Sequence, residues 1–468
     1  MYSNMKKILW LWIAAVGLMA LWSCGDSETL SGTAYDPAQP LVLESFSPTE
    51  GMLATQVIVK GKNFGTDTEL IHVYFNEKEA PVISSTGEQM LVLAPKLPGE
   101  DCVVKVVVGE QEQVFDQHFA YTVQTNVTTV VGGDRNAQNF PVGGENLAEV
   151  QFNCAMDRPL VVDSEGNIYC ILHIGEGNNP DAVYVLNEES GKIRMLESEI
   201  TTFLNQNYLC YDANTDRCYR FFGNIGSNEL YYYDRLNDFA QTRGTTIDWH
   251  REDGVDDTPT VDGWNQWACK HQWVSRPSDG LWYGRIDQGY FASLNPETGH
   301  ATDISGFYDK RHGNSGTGFA GNAGECDGMA FDPADDTKLY FAMTDLNAIL
   351  LYDFETGRVS IYAGSTDGAG GWMDGRCAEA LFNSPRQISI DADRNMYIAD
   401  SNNHCIRKIV MSTGYVSTVA GVPQQPGYVN GTGEVAQFDT PVGLVIARDG
   451  TIYVGDSNNR AIRRIAIE

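Results

Sequence analysis

The chain has 468 residues, with 32 Lys plus Arg against 62 Asp plus Glu and a net charge of −30. At 42% apolar and 20% charged residues it can bury a core, so it is globular and not disordered. Its negative field repels phosphate backbones and excludes nucleic acid as a partner, while it keeps the surface solvated. The 47 Gly, 22 Tyr and 9 Trp point to an all-β chain of aromatic strands joined by tight turns.

Residues 1–24 read as a targeting segment. Lys6 and Lys7 give a basic start, and Ile8–Trp22 is an apolar run shorter than the roughly 20 residues a membrane span needs. The run ends at Leu21-Trp22-Ser23-Cys24, which resembles a bacterial lipoprotein signal. That resemblance implies lipidation of Cys24, with several acyl chains that each add roughly 0.8 kcal/mol per buried methylene. The following Gly25-Asp26-Ser27-Glu28 resembles the surface-export tag of Bacteroidetes lipoproteins and implies an outer-membrane protein facing the exterior. Residues 25–39 are small and polar and read as a tether. Beyond Cys24 nine cysteines remain, with no CxxC pair and no metal-ligand spacing. Cys210 and Cys218 flank a turn and are candidates for a bridge, the alternative being that the cysteines are small core residues.

From residue 40 to 124 short β runs alternate with turns: LVLESFSPTEG, TQVIVKGKNFG, IHVYFNEKEAPVISS, MLVLAPKLPG, VVKVVVG and FAYTV. This spacing predicts a small β-sandwich. Ser47-Pro48-Thr49-Glu50-Gly51, Gly61-Lys62-Asn63-Phe64-Gly65, Ala94-Pro95 and Phe119-Ala120-Tyr121 resemble the IPT/TIG family, which implies an immunoglobulin-like fold acting as a spacer or docking module.

Residues 125–468 repeat. NSPRQISIDADRNMYIADSNNHCIRKI (383–409) matches DTPVGLVIARDGTIYVGDSNNRAIRRI (439–465), and Asp400 and Asp456 are 56 residues apart. Six units of that length fill the region. Four degenerate copies begin near Arg158, Asn207, His271 and Cys326, with third strands at 182–187, 229–234, 289–295 and 348–353. Each unit is therefore expected to be a four-stranded blade of a six-bladed propeller. The last copy lacks a fourth strand, and NVTTVVG (126–132) matches YVSTVAG (415–421). The N-terminal stretch is expected to supply that strand and close the ring. Asp400-Ser401-Asn402-Asn403-His404 resembles the NHL-repeat family, with Arg460 in the His place of the last copy.

In such a propeller the loops crossing from one blade to the next, and the turns between second and third strands, share one face around the channel. Phe140, Trp372 and Tyr428 hold matching places in three crossing loops, and Asp400 and Asp456 are candidates for polar groups at the channel mouth. Residues 249–273, WHREDGVDDTPTVDGWNQWACKHQW, form a long Trp-rich crossing segment. Trp249, His250, Trp264 and Trp267 are the ligand-binding candidates there, whereas Trp273 lies in a strand pattern and reads as core. Aromatic rings stack on sugar faces while amides and carboxylates bond hydroxyls; the alternative is that the rings only fill space between blades. Arg220 and Arg285, near second strands, either point into the channel or pair with carboxylates. His404 beside Cys405 has no third partner for nucleophilic catalysis. Asp253, Asp256, Asp257 and Asp262 lack calcium-loop spacing. No cofactor or metal is expected.

These features favour a non-enzymatic surface lipoprotein that binds a nutrient, a glycan above all, for a Sus-like outer-membrane uptake system, with the first domain as spacer. A hydrolase or lyase at the channel is the second reading and needs metal ligands converging from several blades. A protein-interaction scaffold is the third.

Overall fold

The computed structural model describes residues 32–96, 99, 101–137, 141, 143–173, 181–200, 208–221, 229–250, 272–285, 291–303 and 328–468. They form two compact units, one ending at Val123 and the other running from Gln124 to Ile467. Among the described residues, no helix is long and apolar enough to cross a membrane.

The first unit is two sheets packed face to face. One orders Val42–Ser47, Gln56–Lys62, Gln89–Leu93 and Val82–Ser85; the other orders Glu50–Gly51, Gln111–Tyr121, Asp101–Val108, Ile71–Phe75 and Lys78–Ala80. Period-2 alternation decides which face is buried. In Asp101–Val108 the residues Cys102, Val104, Val106 and Val108 turn inward, and Val57 and Val59 do so in Gln56–Lys62. Phe75 meets Phe119 edge-on at 5.1 Å across this core, and Phe46 meets Phe115 at 5.0 Å.

The second unit contains six sheets among the described residues, antiparallel except where Asp248–His250 joins the third in parallel with His300–Asp303. In chain order they are Val161–Val162, Ile168–His173, Asp181–Asn187 and Lys192–Ile200; then Leu209–Asp212, Arg217–Phe221, Glu229–Asp234 and Ala240–Thr246; then Trp273–Ser275, Trp282–Arg285, Phe291–Leu294 and His300–Asp303. The fourth is Met329–Asp332, Asp335–Met343, Ala348–Asp353 and Arg358–Gly364; the fifth Pro385–Ile390, Asn395–Asp400, Cys405–Val410 and Tyr415–Ala420. The sixth is Pro441–Ile446, Ile452–Asp456 and Ala461–Ile467, and beside its third strand lies Thr125–Gly132. The pairing runs antiparallel from Thr125 opposite Ile467 to Gly132 opposite Ala461. It covers the edge of Ala461–Ile467, and Val127 and Val131 are buried by it.

The first strand of every sheet is an edge strand. Each packs beside the first strand of the next sheet, and that of the sixth packs beside that of the first. These inner strands surround a lumen, a propeller-like arrangement. Between neighbouring sheets lie apolar layers, such as Cys210, Tyr219, Trp273 and Trp282 between the second and third. Trp273 is core, as its strand pattern implies. Cys210 and Cys218 are free thiols. Cys210 lies opposite Tyr219 and Cys218 opposite Tyr211, so one residue of offset sends the two thiols to opposite faces of the sheet, into different apolar layers.

Candidate functional site

The fifth and sixth sheets carry the same buried constellation, Asp-x-x-Asn-x-x-x-Arg. Arg407 Nη1 donates to Asp400 Oδ2 at 2.9 Å, and Arg463 Nη1 donates to Asp456 Oδ2 at 2.8 Å. Asn403 and Asn459 each donate a side-chain N–H to the same carboxylate at 2.8 Å. The other carboxylate oxygen accepts the backbone N–H of Asn383 or Asp439. Both aspartates are 0% exposed, and burial pushes each carboxyl up to about 6 against the pull of its arginine. The expected channel-mouth role of Asp400 and Asp456 is thus corrected: each carboxylate is turned inward and spent on its own turn. His404 and Arg460, the residues after these turns, both sit at positive φ. The His404 ring accepts the Thr440 amide at 3.1 Å, and burial lowers its pKa.

The arginines reach past their aspartates to hold the crossing loops. Arg407 donates to the carbonyls of Leu381 and Met373 and to Asp374 at 2.7 Å, and lies over the Phe382 ring. Arg463 repeats this on Gln437, Val429 and Asn430, over Phe438 and Tyr428. In the first sheet the Tyr184 hydroxyl, donating to the Pro141 carbonyl at 2.8 Å, takes over this task. Sequence reasoning passed over both arginines, although Asp400 to Arg407 and Asp456 to Arg463 share one spacing.

Held in this way, each crossing loop runs along the outer strand of its own sheet. Gly375–Arg376 pairs with Tyr415–Ala420, and Gly431–Thr432 pairs with Thr125–Gly132. Trp372 and Tyr428 therefore lie against outer strands and do not converge on the lumen, which corrects the expected placement. The Trp372 indole N–H donates to Thr418 Oγ1 at 2.9 Å, and the Tyr428 hydroxyl bonds Thr129 Oγ1 at 2.9 Å. Thr418 in turn bonds Asp374 at 3.2 Å, and Thr129 bonds Asn430 at 3.2 Å. Trp372 stays 41% exposed and Tyr428 40%. The result is two matched aromatic rings, each pinned at its polar edge and open to solvent.

Of the remaining candidates, Trp249 and His250 lie in the strand Asp248–His250, which pairs in parallel with His300–Asp303, and Arg285 closes Trp282–Arg285; their side chains lie outside the described set. Phe140, Trp264, Trp267, the Asp253–Asp262 run and Cys24 also lie outside the described residues. Arg220 is buried and forks onto Glu197 of the first sheet at 2.7 and 3.0 Å, a pairing between sheets. The Cys405 thiol is pushed up by burial. Among the described residues no three His, Cys, Asp or Glu side chains gather to hold a metal.

The lumen itself holds a cavity of about 670 Å³ lined by residues of all six inner strands, among them Val162, Tyr211, Val274, Phe331, Ile390 and Ile446.

Comparison with known proteins places these features. Residues 41–123 match the IPT/TIG domain, and residues 382–409 match the NHL repeat. A protein of unknown function from Bacteroides thetaiotaomicron VPI-5482 shares the fold with a TM-score of 0.68 at 23% identity, covering 93% of this chain and 100% of its own. An auxiliary nutrient binding protein from Bacteroides ovatus ATCC 8483 gives 0.58 at 21% identity, covering 93% and 100%. Protein SUPPRESSOR OF QUENCHING 1, chloroplastic, of Arabidopsis thaliana is 31% identical over 205 residues, 42% of this chain. The chain spans 17% of that relative's length. This chain, then, carries an IPT/TIG domain followed by a propeller-like unit containing an NHL repeat.

Proposed function

We propose that the chain is a non-enzymatic, lipid-anchored surface protein that binds a glycan nutrient as an accessory to a Sus-like uptake system, its second unit a six-bladed propeller closed by Thr125–Gly132. The observation that carries the reading is the matched pair Trp372 and Tyr428, each locked by one hydrogen bond and about two-fifths exposed. An aromatic ring held open to solvent offers a flat apolar face to the C–H face of a sugar, and its locked rotamer lowers the entropy cost of binding. The fold shared with a protein named for nutrient binding supports the nutrient role. The segment ending at Cys24 supports the anchor, and metabolic labelling with palmitate, lost in Cys24→Ser, tests it.

A glycan array probed with the purified chain, followed by calorimetry on the hits, tests the binding. Saturable binding of neutral glycans that weakens at least tenfold in the Trp372→Ala/Tyr428→Ala double variant is expected. Unchanged affinity in that variant, or no binding across the array, overturns the reading.

A further inference from the structure

The lumen cavity lies apart from the two pinned rings. Its walls are six sheet edges, and an edge strand leaves alternate N–H and C=O groups without ladder partners. At the deep end, side chains satisfy them. Gln387 Oε1 accepts the amides of Leu160 and Leu444, both at 2.8 Å, and its Nε2 donates to the Leu160 carbonyl at 2.8 Å. One carboxamide thereby ties the fifth inner strand to the sixth and the first. Gln272 Oε1 accepts the Met329 amide at 2.9 Å, and Ser389 Oγ donates to the Leu444 carbonyl at 3.0 Å. The strands also crowd there: a Cβ on Gly328 would lie 2.4 Å from the Arg386 carbonyl oxygen, and one on Gly443 2.7 Å from the Leu160 side chain. These contacts narrow the lumen at that end.

The other end is different. There the lining passes onto the turns between first and second strands, at Pro277 and Pro333–Asp336. This is the face opposite the crossing loops. At the same register position each inner strand presents Val162, Tyr211, Ser275, Phe331, Ile390 or Ile446, all half-buried. Only Ser275 and Tyr211 carry a polar atom, and each is engaged by an aspartate, Asp212 and Asp216. The apolar side chains near this mouth cannot do for the strand edges what Gln387 does below. Carboxylates stand only at the rim, where Asp332 is already paired with Arg394 at 2.6 Å, Asp336 accepts the Ser278 amide, and Asp335 accepts Thr337.

We propose that this cavity is a second ligand site, opening on the face of the first turns, and that it takes a neutral, hydroxyl-rich small molecule such as a free mono- or disaccharide. Hydroxyls both donate and accept, so they can pair with strand-edge N–H and C=O groups at once. The ring faces of a sugar suit the aliphatic walls. The acidic rim and the net charge of −30 repel anions. The volume lies within the roughly 300–1,000 Å³ of small-molecule pockets. The site stands on the lumen alone and does not depend on Trp372 or Tyr428.

The test is calorimetry and thermal shift on the purified chain and on the Trp372→Ala/Tyr428→Ala variant, with neutral mono- and disaccharides against uronates and sugar phosphates of the same ring. Both proteins are expected to bind a neutral sugar equally, and the anionic counterpart at least tenfold more weakly. Ala330→Phe, which narrows the lumen, is expected to cost at least tenfold in affinity. Hydrogen exchange with and without the sugar guards against a folding defect in that variant: protection belongs on residues 329–332 and 387–390, not on crossing loops 365–384 and 421–440. No binding by any neutral sugar, equal binding of anions, or protection confined to the crossing loops overturns the proposal.

Discussion

Thr129 and Tyr428 are 299 residues apart in the chain, yet their hydroxyls meet at 2.9 Å. Thr129 arrives on the strand that the start of the second unit lends to its last sheet, and Tyr428 arrives on a crossing loop. Thr418 and Trp372 reproduce the contact one repeat earlier within a single stretch of chain. The borrowed strand therefore completes the side-chain geometry of a repeat as well as its hydrogen-bond ladder.

Removing the pin should loosen the ring without unfolding the protein. Thr418→Val and Thr129→Val each lose two side-chain hydrogen bonds at a partly exposed site and should cost about 0.5–1.5 kcal/mol per bond, read by urea denaturation. Glycan affinity should fall in both, and it should fall less than in Trp372→Ala or Tyr428→Ala, which remove the rings. A Thr variant that binds glycan as tightly as the parent shows that the pin does not position the ring.

The buried arginines should be far less tolerant. Arg463→Met leaves Asp456 without its counter-charge in a fully buried site, and such losses run to about 3–5 kcal/mol. Arg407→Met should behave alike. Arg460→Ala, at a half-buried turn residue, should cost under about 1 kcal/mol. Chemical denaturation of the three variants side by side checks the ranking.

Acidity should help these two aspartates. Their folded carboxyls are raised to about 6 from 3.8, so between those pH values the folded protein holds more protons than the unfolded chain. Above about pH 6 both states are ionised and the burial cost is complete; as pH falls toward 4 that cost is relieved. This contribution to stability therefore grows from pH 7 to pH 4.5. It should be visible as a smaller pH dependence of denaturation midpoint in Asp456→Asn than in the parent.

The thiols should be inert. Burial pushes Cys102 and Cys377 up to about 11 and raises Cys210, Cys218 and Cys405 well above their ordinary value. An aromatic disulfide reagent should label these five slowly in the native protein and fully in denaturant, as peptide mapping would report. Rapid native labelling of any of them would contradict the packing.

Much of this architecture was written in local patterns. The third strands at 229–234 and 348–353 were legible to the residue, the first as the largely aromatic run Leu230–Tyr233 between Glu229 and Asp234, the second as the largely buried apolar run Ala348–Tyr352. Gln111–Tyr121 was legible only at its end, since its exposed first half carries no alternation. The 56-residue spacing revealed Asp400 and Asp456 as equivalent. It did not reveal their direction, which depends on Arg407 and Arg463 seven residues on and on loops that fold back over them. Trp372 and Tyr428 were visible as matched aromatics, but their place on outer strands follows from pairing that a loop sequence does not announce. The lumen was the least legible of all, because its lining gathers residues from six inner strands spread between Leu160 and Ile446, and no local pattern marks Gln272, Gln387 or Ser389 as sharing one space.

The strand shared between the two ends of the second unit also sets an order of events. A chain emerging from the ribosome presents Thr125–Gly132 well before Ala461–Ile467, with the other five sheets between them. Until the last strand arrives, the first has no ladder partner on that side, and Thr129 has nothing to complete. Closing so long a loop is a slow, non-local step, and folding that waits on it stays open to aggregation.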